Sequence, residues 1–195
     1  MRAIKLFLVF LLFCEASNSP ANASDKATST LNQGDKVATV LAQTHEAVRL
    51  RDGAVRVVLA PPAERAPLRT RLAAAAKSHA IELQLSGLSA HSQPGVTYHV
   101  YFGLAATAEP DAAHYVTTIN FFNDVKLAEG RAKPDQVLAF DITTLARIAA
   151  DADVKGDNLA VTLVPQGIPD PESVPLIGKI RLSCAKNKSS EKGCW

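Results

Sequence analysis

A two-residue alternation of apolar and polar side chains is the feature that most constrains how this chain folds. In segment 96–102, one parity holds Val96, Tyr98, Val100 and Phe102, and the other holds Thr97, His99 and Tyr101. The same period recurs in segments 114–122, 137–142, 159–164 and 177–182. Because successive side chains of a β-strand point to opposite faces, this pattern predicts half-buried strands.

Turn residues separate three earlier segments that also favour strands. These strands are expected at 47–50, 54–60 and 80–88. About eight short strands result, and they do not alternate regularly with helices, which argues against a parallel α/β sheet. The sequence therefore predicts an all-β fold, either an antiparallel β-sandwich or a barrel-like Greek key.

One short helix is expected within this all-β fold. It covers 143–152, and Asp141 or Thr143 is placed to cap its start. Its apolar residues form a narrow stripe, as expected for a helix that lies on a core. Segment 68–77 also has a helix-forming composition.

The N-terminus has the three-part pattern of a secretory signal. Arg2 and Lys5 are followed by an unbroken apolar run at 6–13, and Ala21 and Ala23 provide the small residues before a cleavage site. The apolar run is about half of the ~20 residues that a membrane-spanning helix needs. We therefore expect a signal peptide at 1–23 and a periplasmic or secreted protein with no stable membrane span.

A lipid anchor is the alternative for this end of the chain, because Cys14 follows a segment that resembles a bacterial lipobox. Downstream of the signal, residues 24–36 have the composition of a flexible leader. The β-domain is expected at 37–184 and a polar tail at 185–195.

Composition and cysteine usage narrow the classes of protein further. Apolar residues make up 47% of the chain and the net charge is +2, which is too small for a nucleic-acid-binding surface. Cys184 and Cys194 remain after signal cleavage. In an oxidising compartment we expect a disulfide between them.

No catalytic motif is present, and the sequence predicts a protein that is not an enzyme. The loop 151–157 starts like a calcium-binding loop, but Lys155 stands at a ligand position. His99 and His114 lie on successive predicted strands, and facing each other across a hairpin they would be close enough to hold a metal ion. The alternative is that the two histidines lie on a half-exposed face of their strands and bind no metal.

An ordered set of strand segments resembles a known domain. The segments are 94–102 (PGVTYHVYF), 113–122 (AHYVTTINFF), 140–143 (FDIT), and 159–165 (LAVTLVP) followed by 175–182 (PLIGKIRL). In this order they resemble the C-terminal domain of tyrosinases and polyphenol oxidases, the type-3 copper enzymes. The sequence departs from the family pattern at Thr117, where the family usually has glycine.

The resemblance implies an accessory role without oxidase activity of its own. In the family this β-domain packs over the copper site of a catalytic domain, whose six histidines have no counterpart in this sequence. One side chain of the β-domain can occupy the substrate pocket in latent enzymes. The resemblance therefore implies a free-standing shielding module for a type-3 copper oxidase, with copper held by that partner. The candidates for the plugging side chain are Tyr98, Tyr101, Tyr115, Phe121 and Phe122.

Two other hypotheses fit the same sequence. The chain is a structural or interaction β-sandwich without an oxidase partner, or it is a periplasmic protein that binds copper through His99 and His114. A fold alone does not decide between these three functions.

Overall fold

The computed structural model describes residues 38–61, 67–122, 124, 136–151 and 159–185. All of them belong to one compact unit, 35–195. The predicted signal peptide, leader and most of the polar tail lie outside the described residues. Cys14, Cys194 and Lys155 also lie outside them.

Nine strands and two helices are present in the described part of the chain. In order they are β1 Thr39–Gln43, β2 Val48–Arg49, β3 Val55–Val58, α1 Leu68–Ser78, β4 Ala80–Ser89, β5 Tyr98–Phe102, β6 Tyr115–Ile119, β7 Val137–Asp141, α2 Thr143–Asp151, β8 Ala160–Pro165 and β9 Leu176–Ala185. Each strand that the alternation predicts is present, and β1 is an addition.

The strands form two antiparallel sheets. The first has the order β1-β9-β4-β7, with β2 also paired to β9, and the second has the order β3-β8-β5-β6. Neither sheet closes on itself. Leu83 and Leu182 of the first sheet share one buried core with Val100 and Leu163 of the second. The predicted all-β fold is confirmed, and of its two forms the structure is the sandwich.

One lateral side of the sandwich is joined by backbone hydrogen bonds, and on the other side each sheet ends in an edge strand. Gln43 N donates to Ala60 O at 2.9 Å, and Ala60 N donates to Gln43 O at 3.1 Å. This pair links the end of β1 to the residues after β3. On the opposite side, β6 ends one sheet and β7 ends the other.

The two helices pack on each other and against β1 and β4. Arg69 donates to Ala149 O, and Arg147 Nε donates to Ala76 O at 2.9 Å, so each helix binds a C-terminal carbonyl of the other. Helix α2 confirms the predicted short helix, and α1 coincides with segment 68–77, whose composition favours a helix. Within the described residues, neither helix is long and apolar enough to cross a membrane.

The additional helix follows from its apolar spacing. The buried residues of α1 are Leu68, Leu72, Ala75 and Ala76. This i, i+4, i+7, i+8 spacing gives one apolar stripe, which is enough to fix a helix of 11 residues on the core.

Candidate functional site

The outer face of the second sheet carries a row of side chains that crosses all four strands. The register places Arg56 on β3 beside Thr162 on β8, Thr162 beside Tyr101 on β5, and Tyr101 beside Tyr115 on β6. Directly opposed residues in antiparallel strands have Cβ atoms about 5 Å apart, so these side chains are neighbours.

Three aromatic rings on this face contact one another. His99, Tyr101 and Tyr115, which we call the aromatic cluster, have ring centroids 5.4 Å (His99 to Tyr115), 5.8 Å (Tyr101 to Tyr115) and 6.3 Å (His99 to Tyr101) apart. All three pairs are edge-to-face. This arrangement sets the positive ring edge against the negative ring face and is favourable for aromatic pairs.

Tyr115 is the accessible member of the cluster. Its side chain is 39% exposed, whereas that of Tyr101 is 9% exposed. The Tyr115 hydroxyl lies 2.8 Å from Thr118 Oγ1, in a hydrogen bond where either oxygen can donate. Two neighbouring rings and one hydrogen bond therefore hold this phenol in a defined position on the surface.

A β-bulge accounts for the exposure of Tyr115. Val100 pairs with Thr117, but the next residue, Tyr101, pairs with Tyr115, so Val116 is an extra residue on β6. Strict alternation would put Tyr115 on the same face as Ile119, which is buried. The extra residue shifts the parity and turns Tyr115 to the outer face. The strict alternation predicted for segment 114–122 was therefore wrong for Tyr115.

Two of the candidate plug residues are core residues. Tyr98 and Phe121 are each 1% exposed, and their rings meet edge-to-face with centroids 5.8 Å apart. Burial raises the pKa of the Tyr98 phenol, and the nearby charge of Asp52 raises it further. Neither ring can reach a partner without unfolding.

Phe122 is the other exposed candidate, with 62% of its side chain accessible. Its N–H donates to Asn120 Oδ1 at 3.2 Å, and its carbonyl accepts from Gln93 Nε2 at 2.8 Å. The backbone at this position is therefore fixed, while the ring projects from the end of β6.

The two histidines proposed as metal ligands have different neighbours. His99 pairs with Thr118 across the strands, and the carbonyl of His114 accepts from Phe102 N at 2.9 Å. They are therefore about three residues, or ~10 Å, apart along the hairpin. Within the described residues no group of three or more His, Cys, Asp or Glu side chains is placed to hold a metal. Metal binding by these histidines stays a prediction.

His114 is hydrogen-bonded to a carboxylate of its own turn. Its Nδ1 lies 2.7 Å from Asp111 Oδ1, and its backbone N–H donates to the same oxygen at 3.0 Å. The hydrogen bond from the imidazole lowers the pKa of Asp111. This contact stabilises the end of the β5–β6 loop, directly before β6 and beside the aromatic cluster.

Cys184 is fully buried in β9. Its predicted partner Cys194 lies outside the described residues, so the disulfide stays a prediction.

Sequence patterns did not indicate Arg56, Thr162 or Thr118 as neighbours of the aromatic residues. Their proximity depends on the order β3-β8-β5-β6, which joins strands distant in sequence. The Thr162 hydroxyl is buried beside Tyr101, and no group in the described part of the chain bonds to it. No signal in the amino-acid sequence distinguishes such a threonine from other strand threonines.

No protein-family model matches the chain, and no curated protein matches it. Among solved structures it is similar to a recombinantly expressed latent aurone synthase, a polyphenol oxidase, with 15% sequence identity and a TM-score of 0.41, over 71% of this chain and 26% of that chain. It is also similar to a latent apple tyrosinase, with 19% identity and a TM-score of 0.42, over 72% of this chain and 27% of that chain.

The chain thus spans about a quarter of the length of these solved structures. They are polyphenol oxidases and tyrosinases, the family whose C-terminal domain the ordered strand segments resemble.

Proposed function

We propose that this chain is an exported, non-catalytic accessory domain that docks on a type-3 copper oxidase and shields its active site. The observation that carries the proposal is the position of Tyr115. It is an exposed phenol, held in place by His99, Tyr101 and Thr118. It belongs to one of the strand segments that resemble the family.

The chemistry of the side chain supports the role. A tyrosine presents a phenol ring, so it resembles a phenolic substrate in shape and in its single hydroxyl group. The edge-to-face contacts restrict the ring before docking, which lowers the conformational entropy lost on binding. Of the five plug candidates, Tyr98, Tyr101 and Phe121 are buried, and exposed Phe122 lacks the hydroxyl. Tyr115 is therefore the favoured plug.

The surroundings of Tyr115 suit a protein interface. Tyrosine and arginine are frequent among the residues that dominate binding energy, and Arg56 ends the row that Tyr115 begins. In this arrangement the partner supplies the copper and its histidine ligands.

The first experiment is an affinity purification of the tagged protein from its own host, with mass spectrometry and a diphenol-oxidase assay of the eluate. We expect a type-3 copper protein that gains activity once the accessory protein is removed. Recovery of no type-3 copper protein would overturn the proposal.

Variants then test the plug. Tyr115→Ala should relieve inhibition of the purified oxidase, Tyr115→Phe should relieve it partly, and Phe122→Ala should leave it unchanged. Inhibition by Tyr115→Ala equal to that of the wild type would exclude Tyr115 as the plug while leaving docking intact.

A copper titration tests the hypothesis that the chain is a copper-binding protein. Stoichiometric copper binding by the isolated protein that is lost in His99→Ala would instead indicate a copper-binding protein that acts alone.

A further inference from the structure

The turn between β2 and β3 contains the one Asp–Gly pair of the sequence, Asp52–Gly53, and the sequence has no Asn–Gly pair. The side-chain carboxyl of an aspartate can close a five-membered ring with the backbone nitrogen of the next residue. Glycine at that next position favours the reaction, because it has no Cβ to block the approach to its nitrogen. The sequence therefore places the easiest ring closure of the chain in this turn.

Both residues of the pair are open to solvent. Asp52 and Gly53 are exposed, and a Cβ added at Gly53 would meet nothing within 4 Å. In the described part of the chain, no hydrogen bond engages the Asp52 carboxylate or the Gly53 N–H. The attacking nitrogen and the carboxyl are therefore both unobstructed.

The turn is fixed at its two ends and free between them. Leu50 N donates to Pro175 O at 2.9 Å, and Val55 pairs with Leu163 on β8. The four residues between these points, 51–54, are all exposed. A short segment with so few contacts can change its backbone angles without opening the core, so the carboxyl can rotate toward the amide.

We propose that Asp52 is a modification site, at which the aspartate isomerises spontaneously to isoaspartate. The Gly53 nitrogen attacks Cγ of the protonated carboxyl, a new N–Cγ bond forms, and the carboxyl hydroxyl leaves with the amide hydrogen as water. The product is a succinimide ring. Water then opens the ring at either carbonyl carbon. Attack at Cγ breaks the N–Cγ bond and restores aspartate, whereas attack at the backbone carbon breaks the original peptide bond and leaves isoaspartate. One water is lost and one is gained.

The product differs from the original chain in its backbone. The main chain of isoaspartate passes through the former side chain, so it gains one methylene group, and the displaced carboxylate keeps the negative charge. The extra carbon lies in the connection between the two sheets, because β2 pairs with β9 and β3 pairs with β8.

The site is remote from the proposed shielding surface. The charge of Asp52 acts on the buried phenol of Tyr98, which begins β5, whereas Tyr115 pairs with Tyr101 near the end of β5. Isomerisation therefore leaves the aromatic cluster in place, and the proposal is independent of an oxidase partner.

Two other exposed aspartates show what protects a carboxyl from this reaction. Asp111 is held by hydrogen bonds from His114, and the next residue is an alanine. Asp170 is followed by Pro171, which has no amide hydrogen to lose. Both aspartates therefore serve as internal controls.

Incubation of the purified protein at physiological temperature in water labelled with oxygen-18 tests the proposal. Opening of the succinimide adds one labelled oxygen to residue 52, and a protease that cleaves before aspartate but not before isoaspartate should lose its cut at this position. Mass spectrometry of the digest measures both. We expect label and isoaspartate to accumulate together in the peptide that contains residue 52, and neither to accumulate at Asp111 or Asp170.

Variants identify the attacking nitrogen. Gly53→Ala should slow the isomerisation several-fold, because the added Cβ crowds the nitrogen, and the open space around Gly53 lets this variant fold. Asp52→Glu should abolish it, because the longer side chain would have to close a larger ring. Gly95→Ala, a matched change at another exposed glycine, should isomerise at the wild-type rate. Circular dichroism verifies that each variant is folded.

Two results would overturn the proposal. One is native protein in which residue 52 gains neither label nor isoaspartate, since the folded turn would then keep the carboxyl away from the amide. The other is a folded Gly53→Ala variant that isomerises as fast as the wild type.

Discussion

Tyr98, Tyr101 and Tyr115 are the three tyrosines of the chain, and their side chains are 1%, 9% and 39% exposed. A reagent that attacks phenols from solution should therefore modify Tyr115 first. We expect mild nitration of the native protein to add one nitro group, in the peptide that contains Tyr115. Mass spectrometry of the digested protein measures this, and unfolded protein, in which all three should react, is the control. Equal modification of Tyr98 in the native state would contradict the buried position of its ring.

Two glycines face each other on the paired central strands β4 and β9 of the first sheet. A Cβ on Gly87 would lie 3.2 Å from the Gly178 Cα, and Gly87 has a φ of +65°. Both features oppose a side chain, since left-handed backbone costs an ordinary residue about 1–2 kcal/mol. We expect Gly87→Ala to lower the free energy of unfolding by about 2–3 kcal/mol, measured by urea denaturation.

Two other glycines separate the causes of that loss. Gly95 has a φ of +72° with nothing within 4 Å of its Cβ position, and Gly53 has neither a positive φ nor a close neighbour. Gly95→Ala should therefore lose only the conformational part, about 1 kcal/mol, and Gly53→Ala should be neutral or slightly stabilising. Equal losses at Gly87 and Gly95 would show that the contact with Gly178 has no effect.

The start of α2 depends on one carboxylate. Asp141 Oδ1 accepts from Thr143 N at 2.9 Å and from Thr143 Oγ1 at 2.6 Å, and Thr143 Oγ1 accepts from Ile81 N at 2.9 Å. These bonds join the first turn of α2 to β4. Asp141→Ala should lower the free energy of unfolding by about 1 kcal/mol, the usual effect of losing a helix cap. Asp141→Asn, which keeps an oxygen acceptor, should lose less.

The same carboxylate gives a pH dependence. The hydrogen bonds from Thr143 lower the pKa of Asp141 from its ordinary value of 3.8. A lowered pKa in the folded state means that the contribution to stability is complete above 3.8 and is lost as the pH falls through the folded value. The stability difference between wild type and Asp141→Ala should therefore shrink below about pH 4. Denaturation at pH 7 and pH 3 measures it, and a difference that grows in acid would contradict this assignment.

At the level of strands, alternation predicted the segments well because burial on one face imposes the period of two. It failed for Tyr115 because a bulge adds a residue without leaving a mark in the sequence: Val116 is as suitable for a regular strand as its neighbours. It missed β1, whose sequence TVLAQ has three consecutive apolar residues and therefore shows no period of two. The Asp141–Thr143 cap was predictable because capping is a local interaction.

The arrangement of the strands could not be predicted in the same way. β9 lies between β1 and β4, although these strands are distant in sequence. Such pairings depend on how the whole core packs rather than on any local pattern. The aromatic cluster is intermediate: its members are close in sequence, but their contact depends on the β5–β6 register, and their neighbours Thr162 and Arg56 depend on the whole sheet.

Strand order also sets which parts of the molecule open first. β4 and β9 are each paired on both sides, whereas β6 is paired only to β5. Amides at a sheet edge can exchange through local opening, while central amides require global unfolding. If local opening costs about 3 kcal/mol less, it gives about a hundredfold faster exchange. We expect this difference between Val116–Thr118 of β6 and Leu83–Leu85 of β4, measured by hydrogen exchange at low protein concentration. Equal exchange rates in both strands would contradict the edge position of β6.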